Sequence, residues 1–316
     1  MLTRRDCLKN SMLVGAAWLL PSDLLRALER STLITRAIPK TGEHLPIVGL
    51  GSSASFREAA SSGDSSVLRS VIETLVKNGG KVVDTAPAYG ASERLCGEIA
   101  RQLGVTDDVF WATKVNVASR DTRTADADEA RQQVDQSIER IGKIPIDLIQ
   151  VHNLADLPTQ MPVVQEYKRN GKIRYIGTTS TQSSRYGDLE KAMSEYPIDF
   201  IGVDYAVDNR LAAERILPLA KDLGIAVLIY VPFGRSRLWA RVKGQTVPEW
   251  AADFGADTWA RFFLKYVAAN LAVTCITPAT SNPEHMLDDI GAAYGELPDS
   301  AALRKMEVFV DALPSG

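Results

Sequence analysis

The sequence predicts an α/β protein, a (β/α)8 TIM barrel with an N-terminal β-hairpin and an additional C-terminal helix. Three observations carry that expectation. Short apolar runs of strand character alternate with amphipathic stretches of helical period. The alternation gives eight units in ~250 residues, the length of a closed barrel. Gly79, Gly104, Gly142, Gly171 and Gly224 each fall just past a helical stretch and shortly before a strand. A left-handed helix cap needs a residue without a Cβ at such a point.

Taken in order, 31–45 with its Thr41-Gly42 turn reads as a hairpin plugging one end of the barrel. Strands are expected at 45–51, 81–86, 109–115, 146–152, 173–178, 200–206, 225–231 and 273–277. Helices are expected at 66–77, 92–103, 127–141, 161–170, 188–196, 213–223, 258–270 and 283–294, with the additional one at 303–313. In the third of these Ala130, Val134, Ile138 and Ile141 recur at spacings of four, four and three, one face of a helix. Apolar strands separated by helices pair in parallel and are covered by those helices. Periodicity alone leaves an open doubly wound sheet as the alternative.

The chain has 316 residues, about two domains at ~150 each. No linker, low-complexity tract or charge run interrupts it beyond Ser31, so 31–316 reads as a single domain. Basic and acidic side chains number 36 and 39, a net charge of −3, which argues against a nucleic-acid partner. Three scattered cysteines exclude a disulfide framework, and three histidines without ligand spacing give no metal site. Residues 1–30 read differently. Arg4-Arg5 precede an apolar stretch from Met12 to Leu20, too short for a membrane span. They resemble a twin-arginine signal, which implies export of the folded protein by its dedicated machinery to the periplasm or beyond. The alternative is an amphipathic N-terminal helix on a cytoplasmic protein.

Barrel enzymes act at the C-terminal ends of their strands. Here Val82-Val83-Asp84, Ala112-Thr113-Lys114 and Gln150-Val151-His152 each end an apolar run on an ionisable residue, and Tyr89 follows Asp84 by five positions. Each has an ordinary structural use on its own: a turn former, a snorkelling lysine, a satisfied core histidine, rim packing. Four converging on adjacent strand ends suggest chemistry. A tyrosine hydroxyl with a pKa near ~10 is a poor acid at neutral pH. A neighbouring ammonium, held by a carboxylate, lowers that pKa, and a histidine positions a reacting carbonyl oxygen. That set suits carbonyl reduction by a hydride carrier. Glycosidase carboxylate pairs and a G-x-S-x-G elbow are absent.

From about Leu33 to Tyr294 the chain resembles the aldo/keto reductase family. The matching stretches are Leu45-Pro46-Ile47-Val48-Gly49-Leu50-Gly51, Asp84-Thr85-Ala86-Pro87-Ala88-Tyr89-Gly90, Lys114 and Val151-His152-Asn153. The resemblance implies a barrel, NADP as cofactor with NAD as the alternative, a small carbonyl substrate, and a catalytic set of Asp84, Tyr89, Lys114 and His152. It places cofactor contacts at Gly51 and Ser52, at Asp84, at Thr179 and Ser180, and at Tyr230, Phe233 and Gly234, with Tyr230 stacking on the nicotinamide. It also places them at Thr280 and Ser281, at His285 and at Asp289. Gly202 stands where the family has a glutamine, and Ala279 and His285 where it often has cations for a 2′-phosphate. The long connection 232–257 carries Arg235, Arg237, Arg241 and Lys243, expected as a lid over the cofactor phosphates or as a solvated loop. Trp239, Trp250 and Trp259 are candidates for a substrate mouth, although Trp259, at helical spacing with Phe262, Phe263 and Tyr266, reads rather as core. Two further readings stay open: a nicotinamide-binding sensor with little turnover, and a Schiff-base lyase using Lys114.

Overall fold

A computed structural model of the chain describes residues 32–62 and 65–314. The expected export segment, 1–30, lies outside the described residues. The chain opens with an antiparallel hairpin of β1 (Thr35–Ala37) and β2 (His44–Pro46). The barrel follows as β3 (Leu50–Gly51), α1 (Ala54–Ser61), α2 (Ser66–Lys77), β4 (Val82–Asp84), α3 (Ser92–Leu103), β5 (Phe110–Val115), α4 (Ala127–Ile141) and β6 (Ile146–Val151). It continues as α5 (Leu157–Arg169), β7 (Ile173–Ser180), α6 (Tyr186–Glu195), β8 (Phe200–Asp204), α7 (Leu211–Asp222) and β9 (Ala226–Tyr230). Last come α8 (Arg237–Arg241), α9 (Trp259–Ala268), β10 (Cys275–Ile276), α10 (Pro283–Gly291) and α11 (Ser300–Asp311).

The strands from β3 to β10 form one parallel sheet in sequence order. Parallel bridges Val48–Ile276 and Gly51–Ala279 bring its last strand back to its first. The sheet therefore curls into a barrel, as the eight repeated units required. Helices α2, α3 and α4 lie where the periodicity put them. Gly104 and Gly142 end the last two in left-handed conformations, with φ of 70° and 78°.

One expected strand is divided. The run 45–51 belongs partly to the hairpin and partly to the barrel, because the chain bends at Ile47 and from there pairs with Ile276 of the last strand. Helix α1 was not legible: of ASFREAAS only Phe56 and Ala60 are buried, too sparse a pattern to show a period.

Inside the barrel, Val82, Phe110, Leu148, Tyr175 and Phe200 form one apolar cluster, and the hairpin's Ile38 and Leu45 plug it from below. The rings of Tyr175 and Phe200 meet edge-on at 5.5 Å. Arg174 bonds the hairpin's Glu43 and also reaches Asp147 at 2.6 Å, fastening the plug. The larger cluster fills the space between strands and helices. Successive strand residues alternate between these two cores. The inward row therefore runs Phe110, Ala112, Lys114 on β5 and Leu148, Gln150, His152 on β6 and just beyond it. The upper members of those rows are polar, and there the site forms.

Candidate active site

Strand register brings the polar row together. Asp84 pairs with Ala112 across β4 and β5, and Lys114 with Gln150 across β5 and β6. Tyr89 ends a single 3-10 turn, Pro87–Tyr89, and His152 begins another, His152–Leu154. The Lys114 ammonium donates to Asp84 Oδ1 at 2.6 Å and to the Thr85 carbonyl at 2.8 Å. It also lies 5.1 Å from the centroid of the Tyr89 ring. Tyr89 meets His152 edge-on, with centroids 6.0 Å apart and planes at 83°. The expected catalytic set of Asp84, Tyr89, Lys114 and His152 is thus one contiguous group.

Burial shapes its proton chemistry. Burial works against the Lys114 ammonium, yet the charges of Asp84 and Tyr89 and its bond to Asp84 outweigh this, and its pKa is raised. Burial pushes the Asp84 carboxyl up, while Lys114 and the Tyr230 hydroxyl pull it down. For Tyr89 the outcome differs from the sequence-based expectation. The Lys114 charge does pull its phenol down, but burial acts more strongly and the net shift is upward. Tyr89 is therefore firmly protonated at neutral pH. Burial, helped by the Lys114 charge, lowers His152 to about 3, so its imidazole is neutral.

These groups line a cavity of about 680 Å³ at the C-terminal ends of the strands, within the range of small-molecule sites. Gly51, Thr179, Tyr230, Phe233, Thr277 and Ala279 line it further, and Arg57, Arg235 and Trp239 border it. A nicotinamide dinucleotide fits this set. The volume exceeds what a small carbonyl compound needs, and on its border stand the guanidinium groups of Arg57 and Arg235, a chemistry suited to phosphates.

The remaining candidates divide. Ser52 is buried and its backbone N–H bonds the Asp84 carbonyl at 2.8 Å. Ser180 is buried at the end of β7, and Thr179 Oγ1 accepts from the Asn153 N–H at 2.9 Å. Gly234 turns the chain between Phe233 and Arg235 with φ of 59°. Thr280, Ser281, His285 and Asp289 are not among the residues lining the cavity. Thr280 Oγ1 accepts from the Asn282 N–H at 3.1 Å, and Asn282 caps α10. His285 is exposed and Asp289 is buried.

The 232–257 connection is tied down at two of its arginines, while many of its residues are exposed. Arg237 grips Asp208 with two bonds of 2.7 and 2.9 Å, and Arg241 donates to the Val310, Leu313 and Pro314 carbonyls. Of the four expected cations, Arg235 alone borders the cavity. Trp239 stands at the mouth, whereas Trp250 and Trp259 pack against Phe262 and Phe309. Cys96 and Cys275 are buried free thiols.

Sequence reading missed Gln150 and Arg57 as parts of the site. Gln150 had a signal: a polar residue in the apolar run 146–151, two positions before His152 and so on the same face. Its amide donates to the Tyr230 hydroxyl at 2.8 Å.

Comparison with known proteins agrees with this architecture. The sequence model of the Aldo/keto reductase family matches residues 47–304. The aldo-keto reductase str7 of Strobilurus tenacellus is 26% identical over 258 residues, 71% of this chain and 76% of that protein. YhdN of Bacillus subtilis, also an aldo-keto reductase, is 31% identical over 214 residues, 65% of this chain and 64% of that one. Among solved structures, the holo form of an aldo-keto reductase from Bacillus halodurans superimposes with a TM-score of 0.70 at 20% identity. That match covers 90% of this chain and 98% of that one. A Klebsiella pneumoniae aldo-keto reductase in complex with NADPH gives 0.70 at 19% identity, over 88% and 95%. At those identities the structural likeness establishes the fold, and the family model extends over most of the chain. The chain belongs to the aldo/keto reductase family and is an NAD(P)H-dependent oxidoreductase.

Proposed function

We propose that this enzyme reduces an aldehyde or ketone at the expense of NADPH, with Tyr89 as proton donor. One observation carries the reading: a buried Lys114, bonded to Asp84 and lying beside the Tyr89 ring, at the edge of a cavity that His152 also lines. When bound, the cofactor supplies the hydride. Everything else falls to the chain. Tyr89, protonated at neutral pH, gives its proton to the carbonyl oxygen as negative charge develops there. The phenolate left behind is stabilised by the Lys114 ammonium. Asp84 holds that ammonium charged and fixed, and Thr85 takes a second of its protons. His152, neutral, offers a ring N–H that orients the carbonyl without competing as an acid.

NADPH is preferred to NADH because Arg57 and Arg235 border the cavity and because relatives of this fold bind NADP or NADPH. The test follows the reduced nicotinamide's near-ultraviolet absorbance over a panel of aldehydes and ketones, with NADPH and NADH in parallel. Turnover with at least one carbonyl compound, faster with NADPH, is the expected result. Tight NADPH binding without turnover on any of them would overturn the proposal. Residues 1–30 add the proposal that the folded protein is exported, tested by locating a fusion of that segment to a reporter with and without Arg4 and Arg5.

A further inference from the structure

We propose that Tyr230 and Gln150 brace Asp84 from within the barrel, holding the Asp84–Lys114 pair for proton transfer, and that Gly202 is what lets Tyr230 do so. The inference rests on the proposed carbonyl reduction and assigns three residues to its machinery. Tyr230 ends β9 and points inward. Its hydroxyl donates to Asp84 Oδ2 at 2.9 Å and accepts from Gln150 Nε2 at 2.8 Å. The other carboxylate oxygen of Asp84 takes the Lys114 proton at 2.6 Å. The chain of bonds therefore runs Gln150, Tyr230, Asp84, Lys114, crossing the barrel from β6 through β9 to β4 and β5. The Lys114 ammonium lies 5.1 Å from the Tyr230 ring centroid, the same distance as from the Tyr89 ring.

Gly202 sits on β8, beside β9, where Gly202 pairs with Leu228, two positions before Tyr230. A Cβ at 202 would stand 2.8 Å from Tyr230 Cζ and 2.9 Å from its hydroxyl, closer than real Cβ contacts. Any side chain there would push the ring out of the barrel and away from Asp84. The family resemblance implies that Tyr230 is a platform for the nicotinamide ring. The geometry gives its hydroxyl a separate role, a bond to a carboxylate whose pKa burial raises on balance and which that bond pulls back down. A neutral Asp84 would give Lys114 no charge, and Tyr89 would lose its support. Tyr230 and Gln150 are positioning residues, since they act through Asp84.

Tyr230→Phe separates the two roles, because it keeps the ring and removes the hydroxyl. Without that donor Asp84 protonates more readily, so activity is lost at a higher pH on acidification. The expected result is a kcat about ten-fold lower at neutral pH and an acid limb of the kcat profile raised by about one pH unit, with NADPH affinity unchanged. Gln150→Met should raise the same limb by a smaller amount. In nucleotide-free protein, an infrared titration of the Asp84 carboxyl band, identified by its loss in Asp84→Asn, should show the same upward shift in Tyr230→Phe. Weakened NADPH binding with an unmoved acid limb would overturn the brace and leave Tyr230 as a platform only. Should the wild-type protein reduce no carbonyl compound, the proposed reduction fails, and the infrared titration still decides the brace.

Discussion

Lys114 and Asp84 form an ion pair of 2.6 Å whose side chains are 1% and 4% exposed. Taking either charge out of water is costly, and only the partner and the added bonds from Thr85 and Tyr230 offset it. Removing one partner alone strands the other. Lys114→Met should therefore lower stability by about 3–5 kcal/mol, while Lys114→Met combined with Asp84→Leu should be more stable than the single variant. Both should be inactive. Urea unfolding of the two variants checks this, and a double variant less stable than Lys114→Met would refute the account.

Tyr89→Phe removes the proposed proton donor and little volume. The rate of carbonyl reduction should fall by about 10²–10⁴, with NADPH binding preserved. Because burial raises the Tyr89 pKa despite Lys114, the wild-type rate should hold through neutral pH and fall only above the ordinary tyrosine value of ~10. A donor lowered by Lys114 would instead lose activity at milder alkalinity. A pH profile of kcat under saturating NADPH distinguishes the two.

The difference between those two outcomes marks what the sequence holds. Asp84, Lys114 and His152 were legible because a charged or titratable residue closing an apolar run is conspicuous, and strand alternation fixes the side to which it points. Helices 66–77, 92–103 and 127–141 were legible because each joins a clear apolar face to a glycine stop. The sign of the Tyr89 shift was not, since it depends on how deeply the phenol is buried, which only the packed barrel sets. The role of Tyr230 was hidden for a related reason. Its partners, Gln150, Gly202 and Asp84, come from three other strands, and nothing local in the sequence joins them. Arg237 and Arg241 of the 232–257 segment misled because charge shows in sequence and pairing does not: Arg237 is matched by Asp208, and Arg241 by the carbonyls of Val310 and Leu313.

His152 gives a pH-dependence of stability whose sign is fixed. Its folded pKa, lowered to about 3 by burial and by Lys114, lies below the unfolded value near ~6.5. Between those values the unfolded chain binds the extra proton, so stability falls as pH drops from about 6.5 toward 3. His152→Gln should flatten that part of the stability curve. The imidazole resonances of His152 should show no titration near pH 6.5, and a titration there would contradict the neutral, orienting role.

Gly51 was expected as a cofactor contact, but its first duty is to close the barrel. Its N–H bonds the Pro278 carbonyl at 2.8 Å, and a Cβ there would stand 2.7 Å from the Thr277 carbonyl oxygen. That oxygen belongs to backbone at the end of β10 and cannot swing aside as a side chain would. Gly51→Ala must therefore part β3 from the chain after β10, where Thr277 and Ala279 line the cavity. A loss of about 1–3 kcal/mol is expected, together with weaker NADPH binding. Gly187 supplies the control within the same molecule. It lies in α6 with no atom near its missing Cβ. Gly187→Ala should stabilise by up to about 1 kcal/mol, because alanine loses less backbone freedom on entering a helix. Opposite signs for one substitution at two positions, read by urea unfolding, would show that close approach at the seam, rather than glycine's flexibility, governs position 51.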